Sequence, residues 1–318
     1  MKILVIGAGA LGSLVAGILS TENDVTIIGR PEQVWMLKKK GLRIEGLTQG
    51  EYRIKAFTYV PKDETYDLII ICVKAYNTEM TLTPLSPLLE KGTRILSLQN
   101  GLDNEERILA YLKERNIPSE VIGGITCHGV TYKGPGLVKH AGTGDSMIGH
   151  FGWGSDELHI VDIVPEIADA FKLAGMDMEI TMCIDREIWA KTIINSAINP
   201  LTAIVRASNG ILMENEDMNN MARDLISEGV RVANAHDVDL TDQEMFRRTF
   251  DVVERTSSNV SSMFQDIKLK RRTEVDSING AIARKGEKVE MPTPLNISMV
   301  RLIKGLEERN LERPGEQR

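Results

Sequence analysis

Lys2-Ile-Leu-Val-Ile-Gly-Ala-Gly-Ala-Leu-Gly12 is the stretch on which the fold turns. After Lys2 it is an unbroken apolar run, the pattern of a strand buried on both faces in a parallel sheet. The run gives way to Gly7-x-Gly9-x-x-Gly12, and residues 13–19 continue as a helix. Each glycine has a mechanical reading. The first permits a tight turn, the second lets a phosphate approach the backbone, and the third lets helix and strand pack closely. The helix N-terminus adds unpaired N–H groups and a positive dipole end, which suit a pyrophosphate. Alone the motif is weak. A strand before it, a helix after it and a second strand at Asp24-Val-Thr-Ile-Ile28 make it a dinucleotide loop formed by Gly7, Ala8, Gly9, Ala10, Leu11 and Gly12. Lys2 followed by apolar and small residues also imitates a secretion signal; the strand-and-turn reading is preferred.

The end of the second strand sets cofactor choice. An NAD site places Asp or Glu there to accept from the ribose hydroxyls, whereas this chain has Gly29-Arg30-Pro31. A guanidinium at that point can pair with a 2′-phosphate and stack on adenine, so the sequence favours NADP(H), with a solvated Arg30 as the alternative.

Further buried strands follow at 66–73, 94–98 and 120–127, alternating with helical patterns, which indicates a parallel α/β sheet. Lys74 and Asn100 stand just past the carboxyl ends of two of these strands, the edge where such sheets bind ligands. Glycine-rich turns between 130 and 149 suggest hairpins that extend the sheet antiparallel. Residues 158–174 read as a helix and 178–181 as a closing strand. A boundary at Cys183-Ile-Asp185 divides the chain into residues 1–182, a Rossmann-type dinucleotide-binding α/β domain, and residues 183–318, an all-α domain. A length of 318 residues is comfortable for two domains. The net charge of -7 argues against a protein devoted to nucleic acid. No apolar run is long enough to span a membrane. Cys72, Cys127 and Cys183 show no CxxC spacing, which fits free, buried thiols in a reducing, cytoplasmic setting. The five histidines (128, 140, 150, 159 and 236) have no metal-binding spacing, and no metal is expected.

In the second half, Glu187 to Pro200 is apolar around most of a helical circumference. Lys191, Asn195 and Asn199 nevertheless recur every four residues and so stack along one side. Polar groups on a helix built for burial need partners, from the protein or from a small polar ligand. Ser262 and Glu274 are the other candidates. Ser262 has the alternative of merely capping a helix, and Glu274 that of sitting in the first turn of a helix beginning near Thr273. Their separation of twelve residues is about 18 Å on one straight helix, too far for one small ligand, so a break is expected near residues 270–273.

The sequence resembles the ketopantoate reductase (2-dehydropantoate 2-reductase) family nearly end to end. The likeness rests on GAGALG at 7–12, Arg30, CVKAYNT at 72–78, LQNGLDN at 98–104, W-x-K-x-x-x-N-x-x-x-N-P-L-T at 189–202, SSMFQDI and RRTEVDSINGAI within 261–282, and PTPLN at 292–296. The 189–202 and 261–282 blocks are much more specific than the glycine loop. The resemblance implies reduction of 2-dehydropantoate to (R)-pantoate with NADPH, a step toward pantothenate and coenzyme A. It also implies a site in the cleft between a Rossmann-type and a helical domain. Carried onto this chain, Lys191 matches the family's catalytic lysine and Glu274 its active-site acid. Asn195, Asn199 and Ser262 match substrate-binding positions, and Lys74 and Asn100 match positions near cofactor and substrate. Two alternatives stand beside this reading: a reductase of another branched 2-oxo acid, and a non-enzymatic NADP(H) sensor. Helical second domains of this superfamily often pair, so a homodimer is compatible with the pattern.

Overall fold

The computed structural model describes residues 1–61, 63–89, 92–152 and 163–312, with side chains up to residue 309. Close contacts divide the chain into two units. Unit one comprises Met1–Gln99 with Asn104–Asp185; unit two comprises Asn100–Asp103 with the chain from Arg186 onward.

Unit one opens with β1 (Lys2–Ile6), α1 (Ala10–Leu19) and β2 (Asp24–Ile28), followed by α2 (Pro31–Lys40). Three short strands come next: β3 (Leu42–Gly46), β4 (Gly50–Tyr52) and β5 (Lys55–Phe57). Then come β6 (Leu68–Ile71), α3 (Thr78–Leu89), β7 (Arg94–Ser97), α4 (Asn104–Glu114) and β8 (Val121–Thr126). The unit closes with β9 (Gly129–Gly134), β10 (Leu137–Gly142), β11 (Ser146–His150), α5 (Val164–Leu173) and β12 (Glu179–Ile180). The main sheet runs β12-β11-β8-β7-β6-β1-β2-β5. It is parallel throughout except where β11 pairs antiparallel with β8. From β1 the chain goes to β2 on one side and later to β6 on the other, so the order reverses at β1, between β2 and β6. That reversal opens the crevice where doubly wound sheets take ligands.

Side-chain alternation explains why these strands read as continuous apolar runs. Ile3, Val5, Leu68 and Ile70 pack into one core with α1 and α5. Leu4, Ile6, Ile69 and Ile71 pack into another on the opposite face, with Leu82, Leu85, Ile108 and Leu112 of α3 and α4.

The expected antiparallel extension is carried by β11. The β9–β10 hairpin belongs elsewhere: it joins β3 and β4 in a separate four-stranded sheet of order β4-β3-β10-β9, with β10 parallel to β3. This sheet buries Leu42, Ile44 and Val138 in the same core as α1. Strand β4 has only three residues, and β3, as long as β1, interrupts its apolar residues with exposed Arg43 and half-exposed Glu45, so neither stands out as an apolar run. The first residues of the expected helix at 158–174 and the charged tail from residue 313 lie outside the described residues. The thiols are free, but only Cys72 is even partly covered; Cys127 and Cys183 are exposed, contrary to the expected burial. Cysteine count and spacing report redox state, not depth in the fold.

Unit two is helical: α6 (Ile184–Val205), α7 (Ile211–Glu214), α8 (Glu216–Asn234), α9 (Asp242–Arg255), α10 (Ser262–Lys268), α11 (Asn279–Lys288) and α12 (Pro294–Glu312). Trp189, Ile193 and Ile198 of α6 are buried, as the periodicity requires. The helix runs through Pro200, which has no N–H to offer the Ser196 carbonyl. Asn279 supplies the missing donor: its Nδ2 lies 2.9 Å from Ser196 O. The same amide donates to Asn296 Oδ1 at 3.0 Å. Asn296 in turn gives its Nδ2 and its backbone N–H to one oxygen of Glu228, each at 2.8 Å, while Leu295 N–H goes to the other oxygen. The carbonyl left open by Pro200 inside α6 and the N-terminus of α12 are thus satisfied by one buried chain of carboxamides and a carboxylate. Among the described residues no helix is long and apolar enough to cross a membrane.

Candidate active site

The loop after β1 shows why its three glycines differ. Gly7 adopts φ +111°, closed to most side chains. At Gly12 a Cβ would lie 1.9 Å from the Gly7 carbonyl oxygen, so only glycine lets α1 start here. At Gly9, the residue preceding α1, a Cβ would meet no protein atom within 4 Å. Packing therefore fixes Gly7 and Gly12 but places no demand on Gly9. Its smallness keeps the backbone open at the helix N-terminus, a position suited to an anion. Ala10 begins α1, and Ala8 is buried beneath the turn. Cys72 packs under Gly12, where burial pushes its thiol up to about 12 and keeps it neutral.

Arg30 immediately precedes α2. Its side chain is 68% exposed and ion-paired to Glu32 at 3.2 Å. Such a pair is worth little in water, so the guanidinium is available to a better anion.

At the carboxyl edge of the sheet, Lys74 introduces a single 3-10 turn, Ala75–Asn77. Buried Thr78 fastens this segment. Its hydroxyl accepts from Gln99 Nε2 at 2.8 Å and lies 2.9 Å from Ala75 O and 3.2 Å from Asn104 Oδ1. Gln99 Nε2 also donates to Val73 O at 3.0 Å. The ends of β6 and β7 are thus tied together where Lys74 emerges. Next to Asn104, burial pushes the Glu105 carboxyl up to about 7, with Asp185 and Glu106 acting in the same direction.

In unit two the α6 stripe is graded. Lys191 and Asn195 are half-buried and Asn199 is buried. The break expected between Ser262 and Glu274 is present: α10 ends at Lys268, and Lys270 turns the chain with φ +52°. Glu274, however, does not lie in a helical first turn. It sits in the turn before α11, where its carbonyl accepts from Ser277 and Ile278 N–H. The β-branched and hydroxyl residues of 273–278 favour that turn, and the helix starts at Asn279. Glu274 is buried, and Asn100 Nδ2 points to its Oε2 at 3.4 Å. Asn100 thus packs with unit two although it follows directly on β7 of the sheet. Leu102 N–H donates to Ser277 O at 2.9 Å, and Asp103 pairs with Arg284 at 2.8 Å, which docks the whole Asn100–Asp103 segment. Ser262 is exposed at the start of α10 and caps nothing. The cap is Ser261, buried, accepting from Phe264 N–H at 3.3 Å and from the Thr202 hydroxyl at 2.7 Å.

A glycine turn at a sheet reversal, followed by a helical unit carrying Lys191, Asn195, Asn199 and Glu274, is a recognisable combination, and comparison with known proteins decides its family. The family described as ketopantoate reductase PanE/ApbA matches residues 3–153, and its C-terminal counterpart matches residues 183–307. The chain belongs to the ketopantoate reductase family.

Among curated members of that family, the 2-dehydropantoate 2-reductase of Pyrococcus horikoshii is 39% identical over 310 residues, covering 96% of this chain and 98% of its own. Of solved structures, a PanE/ApbA family ketopantoate reductase from Ralstonia eutropha superposes with a TM-score of 0.86 at 29% identity, covering 98% of this chain and all of the other. A D-mandelate dehydrogenase holding NADH and anilino(oxo)acetate superposes with a TM-score of 0.89, also at 29% identity, covering 98% and 99%. As a ketopantoate reductase family member the chain is an oxidoreductase with an α/β domain followed by a helical one. Ser261, Gln33 and the Asn279–Glu228 chain escape sequence reasoning. Only Gln33 carried a local signal, as the third residue of a helix opened by Pro31, the position from which a Gln side chain reaches back to the preceding backbone.

Proposed function

We propose that this protein reduces the C2 ketone of 2-dehydropantoate to the alcohol with NADPH. The observation that carries the reading is the stripe Lys191–Asn195–Asn199 on an otherwise apolar helix, in the same unit as buried Glu274. The loop of Gly7 to Gly12 would hold the pyrophosphate, with Lys74 and Asn100 near the cofactor, and Arg30 would take the 2′-phosphate in place of Glu32. When bound, NADPH supplies the hydride.

The chain's own groups then have distinct tasks. Reduction of a ketone builds negative charge on its oxygen. The Lys191 ammonium stabilises that charge and delivers the proton from Nζ. Asn195, Asn199 and Ser262 present amide and hydroxyl donors suited to the substrate carboxylate. Glu274 accepts from the distal hydroxyl, and Asn100 orients Glu274 through their hydrogen bond.

The likeness to D-mandelate dehydrogenase motivates a second reading, in which the pocket takes an aryl 2-oxo acid. One experiment separates them: NADPH and NADH oxidation followed spectrophotometrically with 2-dehydropantoate, other branched 2-oxo acids and an aryl 2-oxo acid. The first reading requires the highest kcat/KM for NADPH with 2-dehydropantoate. A higher value for the aryl acid would replace it with the second, and equal efficiency of the two cofactors would remove the role of Arg30.

A further inference from the structure

Gln33 is a buried amide that the reaction does not use, 4% exposed and placed between the two loops that would grip the two ends of the cofactor's phosphate system. Its Oε1 accepts from Arg30 N–H at 3.0 Å, and its Nε2 donates to the Ala8 carbonyl at 2.6 Å. The orientation of the amide is fixed by chemistry: Ala8 O can only accept and Arg30 N–H can only donate. Tyr132 Oη of β9 lies 3.4 Å from the same Nε2 and backs the side chain from the second sheet. The two loops also abut directly, since a Cβ on Gly29 would sit 2.7 Å from Ala8 Cβ and 3.1 Å from Gln33 Oε1.

We propose that Gln33 is a positioning residue for cofactor selectivity: it locks the glycine turn and the Arg30 backbone at a fixed spacing, so that a 2′-phosphate meets the guanidinium only while the pyrophosphate is seated. This deepens the NADPH assignment and rests on Arg30 being the 2′-phosphate contact. The physical reason is that NADPH is gripped at two points and NADH at one. A ligand gripped at two points loses affinity when the distance between its anchors is no longer held, because ordering them is then charged to binding. The ratio of the two affinities therefore reports the lock, whereas a general loss of packing at Gln33 would lower both affinities alike.

Gln33→Ala removes both bonds. Gln33→Glu keeps an acceptor for Arg30 N–H but cannot donate to Ala8 O. Nicotinamide fluorescence titrations with NADPH and with NADH, run on the full-length wild type, Arg30→Ala, Gln33→Ala, Gln33→Glu and the double variant Arg30→Ala/Gln33→Ala, test the lock. Thermal unfolding without cofactor checks that each variant is folded. The wild type should prefer NADPH, and Arg30→Ala should abolish the preference. Both Gln33 variants should lower the preference by about ten-fold, the size expected when a buried hydrogen bond is lost from a binding site. In the double variant the preference should fall no further than in Arg30→Ala, since Gln33 acts through Arg30. A folded Gln33 variant that keeps the wild-type ratio while Arg30→Ala loses it overturns the proposal and leaves Arg30 standing. A wild type with no preference overturns both.

Discussion

At Gly12 the backbone leaves no space for a methyl group; twenty-one residues later, Gln33 fills its space completely and uses both ends of its amide. The glycine turn of unit one is shaped by backbone, and the side chains around it are small or structural. Unit two does the reverse: α6 is an ordinary helix in backbone terms, and everything distinctive about it is carried by Lys191, Asn195 and Asn199. The contrast follows from the ligand parts each region is read as serving. A pyrophosphate is the same in every dinucleotide and is met by N–H groups, which any sequence supplies if the turn is tight enough. A substrate carboxylate, ketone and hydroxyl must be told apart, and only side chains differ enough to do that.

The contrast can be broken most forcefully at Lys191. Lys191→Ala should lower kcat by roughly 10²- to 10⁴-fold, the usual contribution of a general acid, while NADPH affinity measured by fluorescence stays within about two-fold. Turnover near the wild-type level would show that unit two does not supply the proton.

Next come the paired glycines. Gly12→Ala drives a Cβ into the Gly7 carbonyl and should destabilise unit one by about 3 kcal/mol or more, read from urea unfolding. Gly9→Ala meets no protein atom and should leave stability within about 0.5 kcal/mol while weakening dinucleotide binding. Equal effects of the two on stability would contradict the division between packing and ligand approach.

Glu105 tests an ionisable side chain buried in unit one. Its carboxyl, ordinarily near 4.5, is pushed up to about 7 in the folded state. Between those values the folded protein holds a proton that the unfolded chain has released. The contribution of Glu105 to stability is therefore greatest below about pH 4.5, falls as pH rises toward 7, and levels off above it, a loss of roughly 3 kcal/mol at most. Glu105→Gln should remove that slope, matching the wild type at pH 4.5 and exceeding it at pH 8 in Tm. A constant difference across the range would mean that the carboxyl stays ionised.

A smaller loss than at Gly12 is expected at Asn279. Replacing it with Ala leaves Ser196 O and Asn296 Oδ1 without its two bonds and should cost about 2 kcal/mol in urea unfolding. A loss under about 0.5 kcal/mol would mean that the helix through Pro200 tolerates its open carbonyl.

Much of the architecture was legible because it rests on short-range rules. Short, mostly apolar runs marked β1, β2, β6, β7 and β8, and the glycine spacing marked the turn. The four-residue spacing marked the polar face of α6. The short strands β3 and β4 were not legible, nor was the departure of β9 and β10 into a second sheet. Their partners lie about ninety residues apart in sequence, and no local pattern encodes which edge a hairpin joins. The mistaken placement of Glu274 in a helix has the same origin. Its turn is held by backbone bonds to Ser277 and Ile278, and a turn of that kind differs little in composition from a helical first turn.

The sequence by itself determined the glycine turn, the places of the principal strands along the chain, the two-part organisation and the polar stripe of α6, because each is written in local residue patterns. Tertiary structure alone decided that Gln33 joins Ala8 to Arg30, that Asn279 answers the carbonyl freed by Pro200, that Ser261 and not Ser262 caps α10, and that Asn100 reaches Glu274. Each of these is a hydrogen bond between a polar group and a partner chosen by the packing of distant segments. A sequence shows that such a group needs a partner; only the fold brings one within about 3 Å.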